Sequence, residues 1–214
     1  MLHAVAQGKA HRFFDKARLD TGPSGRRPQE DMVTSALFGS IAFLPDEDRR
    51  AALDLLLGGT CERALPEGDI EIDLWRSFPD PDKALGRVEP DVLLTCGGRT
   101  VIVEVKWHSG LGPDQLGRQF RASTNEGRDV TAIVVLGTAI LPDGADRLPV
   151  RPSTRTWQEV STALARESDT APLGRWRTAV RGFLQRTDLG HTFAGFAHMR
   201  LKDVGTVAPW FGRS

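Results

Sequence analysis

The chain has 214 residues, the length of one large domain or two small ones. With 40% apolar residues, 26% charged residues and 28 basic against 28 acidic side chains, it has a globular composition that excludes whole-chain disorder. No apolar run approaches the roughly 20 residues of a membrane span, and the first residues lack a signal-peptide core. Cys61 and Cys96 are the only cysteines, too few for a disulfide framework or a four-cysteine zinc site. The expected location is a reducing cytoplasm, with no membrane partner.

Residues 1–27 read as a basic N-terminal arm, closed by Thr21-Gly22-Pro23-Ser24-Gly25. From Gln29 to Leu44 the pattern is helical: Val33, Leu37, Ile41 and Leu44 form one apolar stripe, Pro28 suits the first turn and Pro45 stops the helix. Arg49 to Leu57 reads as a second helix. The period then changes to two, and Asp69–Trp75, Val88–Thr95 and Thr100–Trp107 read as strands. Pro113–Ala122 is expected as a helix, Val130–Leu136 as a buried strand, and Thr156–Arg166 and Leu173–Gln185 as helices. The resulting expectation is an α/β fold, with a central mixed β-sheet that begins as an antiparallel meander and is flanked by helices. Residues 28–170 would form this core, and 171–214 a C-terminal helical extension packed on it.

The neutral total charge hides an uneven distribution. Residues 45–91 are rich in acids, whereas the segments before Pro28 and after Val150 are rich in Lys and Arg. Basic flanks around an acidic centre suit a protein that grips a polyanion and holds a cation at its chemistry. Ordinary solvated helix faces would leave the same pattern.

The informative stretch runs from Glu89 to Lys106. Gly97-Gly98 between two alternating apolar runs signals a tight two-residue hairpin turn. That turn pairs Cys96 with Arg99, Leu94 with Val101 and Val92 with Val103, and therefore Asp91 with Glu104. Opposed side chains of this kind have Cβ atoms roughly 4.5–5.5 Å apart. Glu104 and Lys106 share the face of Asp91, while Val101, Val103 and Val105 point into the core. Opposed like charges need a compensating cation. Lys106 supplies one, and a divalent ion bound by two carboxylates, waters and phosphate oxygens would supply a stronger one. A solvated strand face with a cross-strand salt bridge is the plainer alternative; the glycine-containing loop and helix that follow favour a site.

Pro90-Asp91 followed, after a short hairpin, by Glu104-Val105-Lys106 resembles the PD-(D/E)xK nuclease superfamily, with its restriction-endonuclease-like fold. A helix bearing Glu30 before the meander and one bearing Gln115 after the lysine strand extend the resemblance over about Pro28 to Arg166. It implies Mg²⁺, with Mn²⁺ able to substitute, held by Asp91 and Glu104 with Glu30 joining them. It implies that Lys106 orients or deprotonates the attacking water, and that Gln115 joins the catalytic set. Recombination-type and defence-type branches often carry a tyrosine one turn after the glutamine. This chain has no tyrosine, and Gln119 stands at that position.

Arg118, Arg121 and His108 are candidate nucleic-acid contacts, with solvated surface side chains as the alternative. His191 and His198 have no metal-like spacing, and Gly110-Leu111-Gly112 lacks the full signature of a phosphate-cradling loop. Trp157 and Trp176 are expected in packing and Trp210 at an interface. The expectation is a metal-dependent nuclease cutting DNA, with RNA as a second substrate class, in DNA processing or anti-phage defence. A homodimer or a subunit of a multi-protein system would supply its targeting. The alternative is a nuclease-like fold that binds nucleic acid or a partner protein without cutting.

Overall fold

A computed structural model describes residues 30–82, 86–107, 110–165 and 171–187. The N-terminal arm, His108, His191, His198 and Trp210 lie outside the described residues.

The chain enters as helix α1 (Glu30–Ile41), followed by α2 (Asp46–Leu57) and the short α3 (Thr60–Ala64). Val33, Leu37 and Ile41 of α1 are completely buried, so the four-residue spacing does place one stripe inside. Helix α2 starts immediately after Pro45, three residues earlier than its apolar pattern suggests. Its acidic first turn, Asp46, Glu47 and Asp48, complements the positive end of the helix dipole.

Strands β1 (Glu71–Leu74), β2 (Phe78–Pro79), β3 (Arg87–Val88), β4 (Val92–Cys96) and β5 (Arg99–Val105) follow. Helix α4 (Gln115–Asn125), β6 (Asp129–Leu136), β7 (Ser153–Arg155), α5 (Trp157–Leu164) and α6 (Ala171–Arg186) complete the order. The main sheet has the order β1-β4-β5-β6-β7. β1–β4 and β4–β5 pair antiparallel, whereas β5–β6 and β6–β7 pair parallel. The protein is therefore α/β, with a five-stranded mixed sheet flanked by helices.

The strand expected over Val88–Thr95 is divided in the structure. Val88 belongs to a separate two-stranded ribbon with Phe78, and β4 begins only at Val92. Glu89-Pro90 separates them; proline lacks the N–H a central strand needs for its ladder. β7 is three residues long, too short for any periodicity to reveal it.

The two faces of the sheet bury different sets. Val92, Leu94, Val101, Val103 and Val105 pack in the larger core with residues of α1, α2, α5 and α6. Leu93, Ile102, Ile133 and Val135 face the other way, with Leu116 and Ala122 of α4. α6 joins the larger core through Leu173, Trp176, Val180 and Leu184, and Trp176 Nε1 donates to Ser40 Oγ at 2.8 Å. Burial on both faces by helices accounts for the unbroken apolar character of β4 to β6.

Candidate active site

The site begins with the β4–β5 turn. Gly97 and Gly98 have φ of 54° and 83°, the left-handed pair that a tight hairpin turn requires. Cys96 then faces Arg99, Leu94 faces Val101 and Val92 faces Val103, and the next positions outward are Asp91 and Glu104. Asp91 is pinned twice: its carbonyl accepts the Trp75 N–H at 3.1 Å, and its Oδ2 accepts the Val105 N–H at 2.8 Å. Although the residue keeps some exposed surface, its carboxyl is enclosed. Burial first, and the Glu104 charge second, push its pKa well above the usual carboxylate range; Asp31 adds to this, and the Val105 N–H and Lys106 oppose it.

Glu104 is buried, on the face covered by α4, and both its oxygens are occupied. Oε1 accepts Gln115 Nε2 at 2.5 Å and lies 2.7 Å from Lys106 Nζ, while Oε2 accepts Gln119 Nε2 at 2.6 Å. Gln115 is oriented from its other end, because its Oε1 accepts the Gly112 N–H at 3.0 Å. The Gly110–Gly112 loop thus serves to aim a glutamine.

Lys106 stands just beyond β5. Its N–H donates to the Leu136 carbonyl at 2.7 Å and its own carbonyl accepts Trp157 Nε1 at 3.0 Å, so β6 and α5 both hold its backbone. Trp157 is placed by a capping box in which Thr156 and Glu159 exchange hydrogen bonds at the start of α5. Lys106 Nζ lies 3.6 Å from Glu30 Oε2, and Glu30 Oε1 accepts the Trp107 N–H at 2.9 Å. Burial works against the ammonium charge. Glu104, through both its charge and its hydrogen bond, with Glu30 and Asp91 behind it, outweighs burial and raises the Lys106 pKa above its ordinary value. Lys106 is a firm cation in this arrangement.

The hairpin, α1 and α4 therefore bring together Asp91, Glu104, Lys106, Gln115 and Glu30. Arg121 is differently engaged: it bridges Asp82, beyond the β2 strand, and Asp114, before α4. The Arg118 Nε is buried without a hydrogen-bond partner. A cleft of about 400 Å³ opens beside Lys106, lined by Leu111, Thr138, Ile140, Leu141 and Pro142.

Three contributors have no role assigned by sequence patterns, although Gln119 stands one turn after Gln115. Gln119 touches Glu104 directly, Trp157 holds the Lys106 carbonyl, and Gly137, with φ of 103°, allows β6 to pass against that carbonyl. A Cβ at position 137 would lie 1.8 Å from the Lys106 oxygen. The only available signals were a glutamine one turn from Gln115 and a glycine ending an apolar strand.

Among the described residues, no group of three or more His, Cys, Asp or Glu is arranged to hold a metal ion. Glu30 is turned to Lys106 and Trp107. Two hard carboxylates, one carrying a charge that burial and its neighbour disfavour, nevertheless fit the small protein share of a Mg²⁺ shell, which is completed by water and phosphate oxygens. No helix among the described residues is long and apolar enough to cross a membrane. Neither the models of protein families nor the curated proteins compared with the chain match its sequence.

Proposed function

We propose that the chain is a metal-dependent nuclease of the PD-(D/E)xK superfamily with a restriction-endonuclease-like core, hydrolysing phosphodiester bonds in DNA. The observation that carries this reading is the gathering of Asp91, Glu104 and Lys106 on one sheet face, with Gln115 donating to Glu104 and a cleft beside the lysine. Asp91 and Glu104 would hold Mg²⁺ or Mn²⁺, with Glu30 available after release from Lys106. A bound ion supplies polarisation of the scissile phosphate and a more acidic attacking water. Lys106 presents a fixed positive charge and N–H donors to the charge that develops on the phosphate. Its raised pKa makes it a stabilising and orienting group and a poor proton acceptor, which narrows the role expected from the sequence. Arg118 and Arg121 are the proposed phosphate contacts, and a phosphodiester reaching Arg121 would compete with Asp82 and Asp114. DNA processing or anti-phage defence, in the cytoplasm and as a homodimer or a subunit of a larger system, is the proposed setting.

The second reading is a nuclease-like module that binds without cutting. The observation that favours it is the engagement of both Glu104 oxygens by three side-chain donors. Incubation with supercoiled, linear and single-stranded DNA in Mg²⁺, Mn²⁺ or EDTA separates the two. Metal-dependent cleavage that Asp91→Ala and Lys106→Ala both abolish supports the nuclease. Retained DNA binding with no cleavage in any metal supports the binding module.

A further inference from the structure

We infer that Gln119 is a positioning residue that fixes the Glu104 carboxylate and limits it to a single open acceptor position. The inference rests on the nuclease reading for its functional meaning, and on geometry for its substance.

An ionised carboxylate has about four lone-pair positions. Gln115 and Lys106 occupy two on Oε1, and Gln119 occupies one on Oε2. One position therefore remains, on the oxygen that Gln119 holds. A carboxylate in that state can meet a cation through one oxygen only. Single-oxygen contact suits the compact octahedral shell of Mg²⁺, whereas Ca²⁺ readily accepts both oxygens of a carboxylate.

Gln119 is built for this contact and for little else. It is 1% exposed, and its Oε1 is buried with no hydrogen-bond partner. Gln115, by contrast, has its Oε1 anchored by the Gly112 N–H. A buried amide whose carbonyl is unsatisfied costs stability. Turning the amide over would not relieve that cost, since it would set a carbonyl oxygen against a carboxylate. The Glu104 charge alone dictates which way Gln119 faces. Ser123, one turn further along α4, is completely buried and its Oγ also lacks a hydrogen-bond partner.

The test compares the full-length chain with Gln119→Met, which keeps length and volume but removes the donor, and with Gln119→Leu as a second apolar replacement. Mn²⁺ and Ca²⁺ binding are measured by calorimetry, cleavage of supercoiled DNA gives kcat and KM, and thermal melting of Gln119→Met, Glu104→Gln and the double variant gives a stability cycle. Expected are folded Gln119 variants with Mn²⁺ affinity reduced about tenfold, equivalent to 1.4 kcal/mol. Ca²⁺ affinity should rise relative to Mn²⁺, and kcat should fall at least tenfold with KM for DNA within twofold. Melting shifts in the cycle should be non-additive. Wild-type Mn²⁺ affinity and kcat in both variants, or additive melting shifts, overturn the inference. If the wild-type chain neither binds Mn²⁺ nor cuts, the nuclease reading fails, and the stability cycle alone decides whether Gln119 holds Glu104.

Discussion

Asp91 and Glu104, the positions next outward from the Val92–Val103 pair of the β4–β5 hairpin, sit close enough for the Glu104 charge to act on Asp91 and yet under opposite conditions. Three side-chain donors surround the Glu104 carboxylate, two from α4 and one from Lys106, whereas Asp91 Oδ2 is held by a single backbone N–H from Val105. One acid of the pair is neutralised by its own fold, and the other carries the electrostatic cost of the site.

Asp91→Asn should therefore stabilise the protein while abolishing cleavage. The folded-state pKa of Asp91 is raised, so the folded chain binds this proton more tightly than the unfolded chain. Its cost is absent below the ordinary carboxylate range and grows as pH rises towards the folded pKa. Asparagine removes that cost and keeps an oxygen for the Val105 N–H. Thermal melting should show a higher Tm at pH 7, about 2–4 °C for each kcal/mol relieved, with the gain shrinking towards pH 4. An unchanged or lower Tm at pH 7 would show that Asp91 is not strained by its surroundings.

Lys106→Met should act in the opposite direction. It leaves the buried Glu104 charge without its ammonium partner, and breaking a buried pair of this kind costs about 3–5 kcal/mol. The Lys106 pKa is raised above 10.5, so its contribution is fully present below the unfolded value and is lost only as pH climbs through the higher folded one. Urea unfolding of the variant beside a Lys106→Met/Glu104→Gln double variant checks this, since the double variant should recover part of the loss. The wild-type pH–rate profile should show no step from Lys106 below about pH 10.

Gly137→Ala places a methyl group 1.8 Å from the Lys106 carbonyl at a φ of 103°. Backbone strain and overpacking together should cost about 3–5 kcal/mol. If the chain still folds, the displaced Lys106 backbone should lower cleavage in parallel. A variant with wild-type stability and activity would mean that β6 does not constrain Lys106.

Asp82→Asn removes one of the two carboxylates that hold Arg121. The bridge is exposed, so the stability change should stay below about 1 kcal/mol. DNA binding should tighten a few-fold at low salt, and the dependence of log Kd on log salt should steepen by about one phosphate contact. Binding that is indifferent to Asp82 would remove Arg121 from the nucleic-acid surface.

The amino-acid sequence by itself determined the hairpin and its register. Two glycines set a two-residue turn, and that turn sets the pairing that brings Val92, Leu94, Val101 and Val103 together on the face of the larger core. Asp91, Glu104 and Lys106 follow from that register, because side-chain direction in a strand is a local property. The apolar stripe of α1 and the burial of β6 were legible for the same reason. The division of Val88 from β4 and the three-residue β7 were not, since pairing partners rather than local period define them. The tertiary structure alone decided what surrounds the charges. Glu30 meets the Trp107 N–H across 77 positions of chain, and Trp157 meets the Lys106 carbonyl across 51. Gln119 reaches Glu104 only because α4 lies over that face of the sheet. Such contacts depend on how helices dock, and docking is set by the shape of a whole packed core rather than by the period of any one segment.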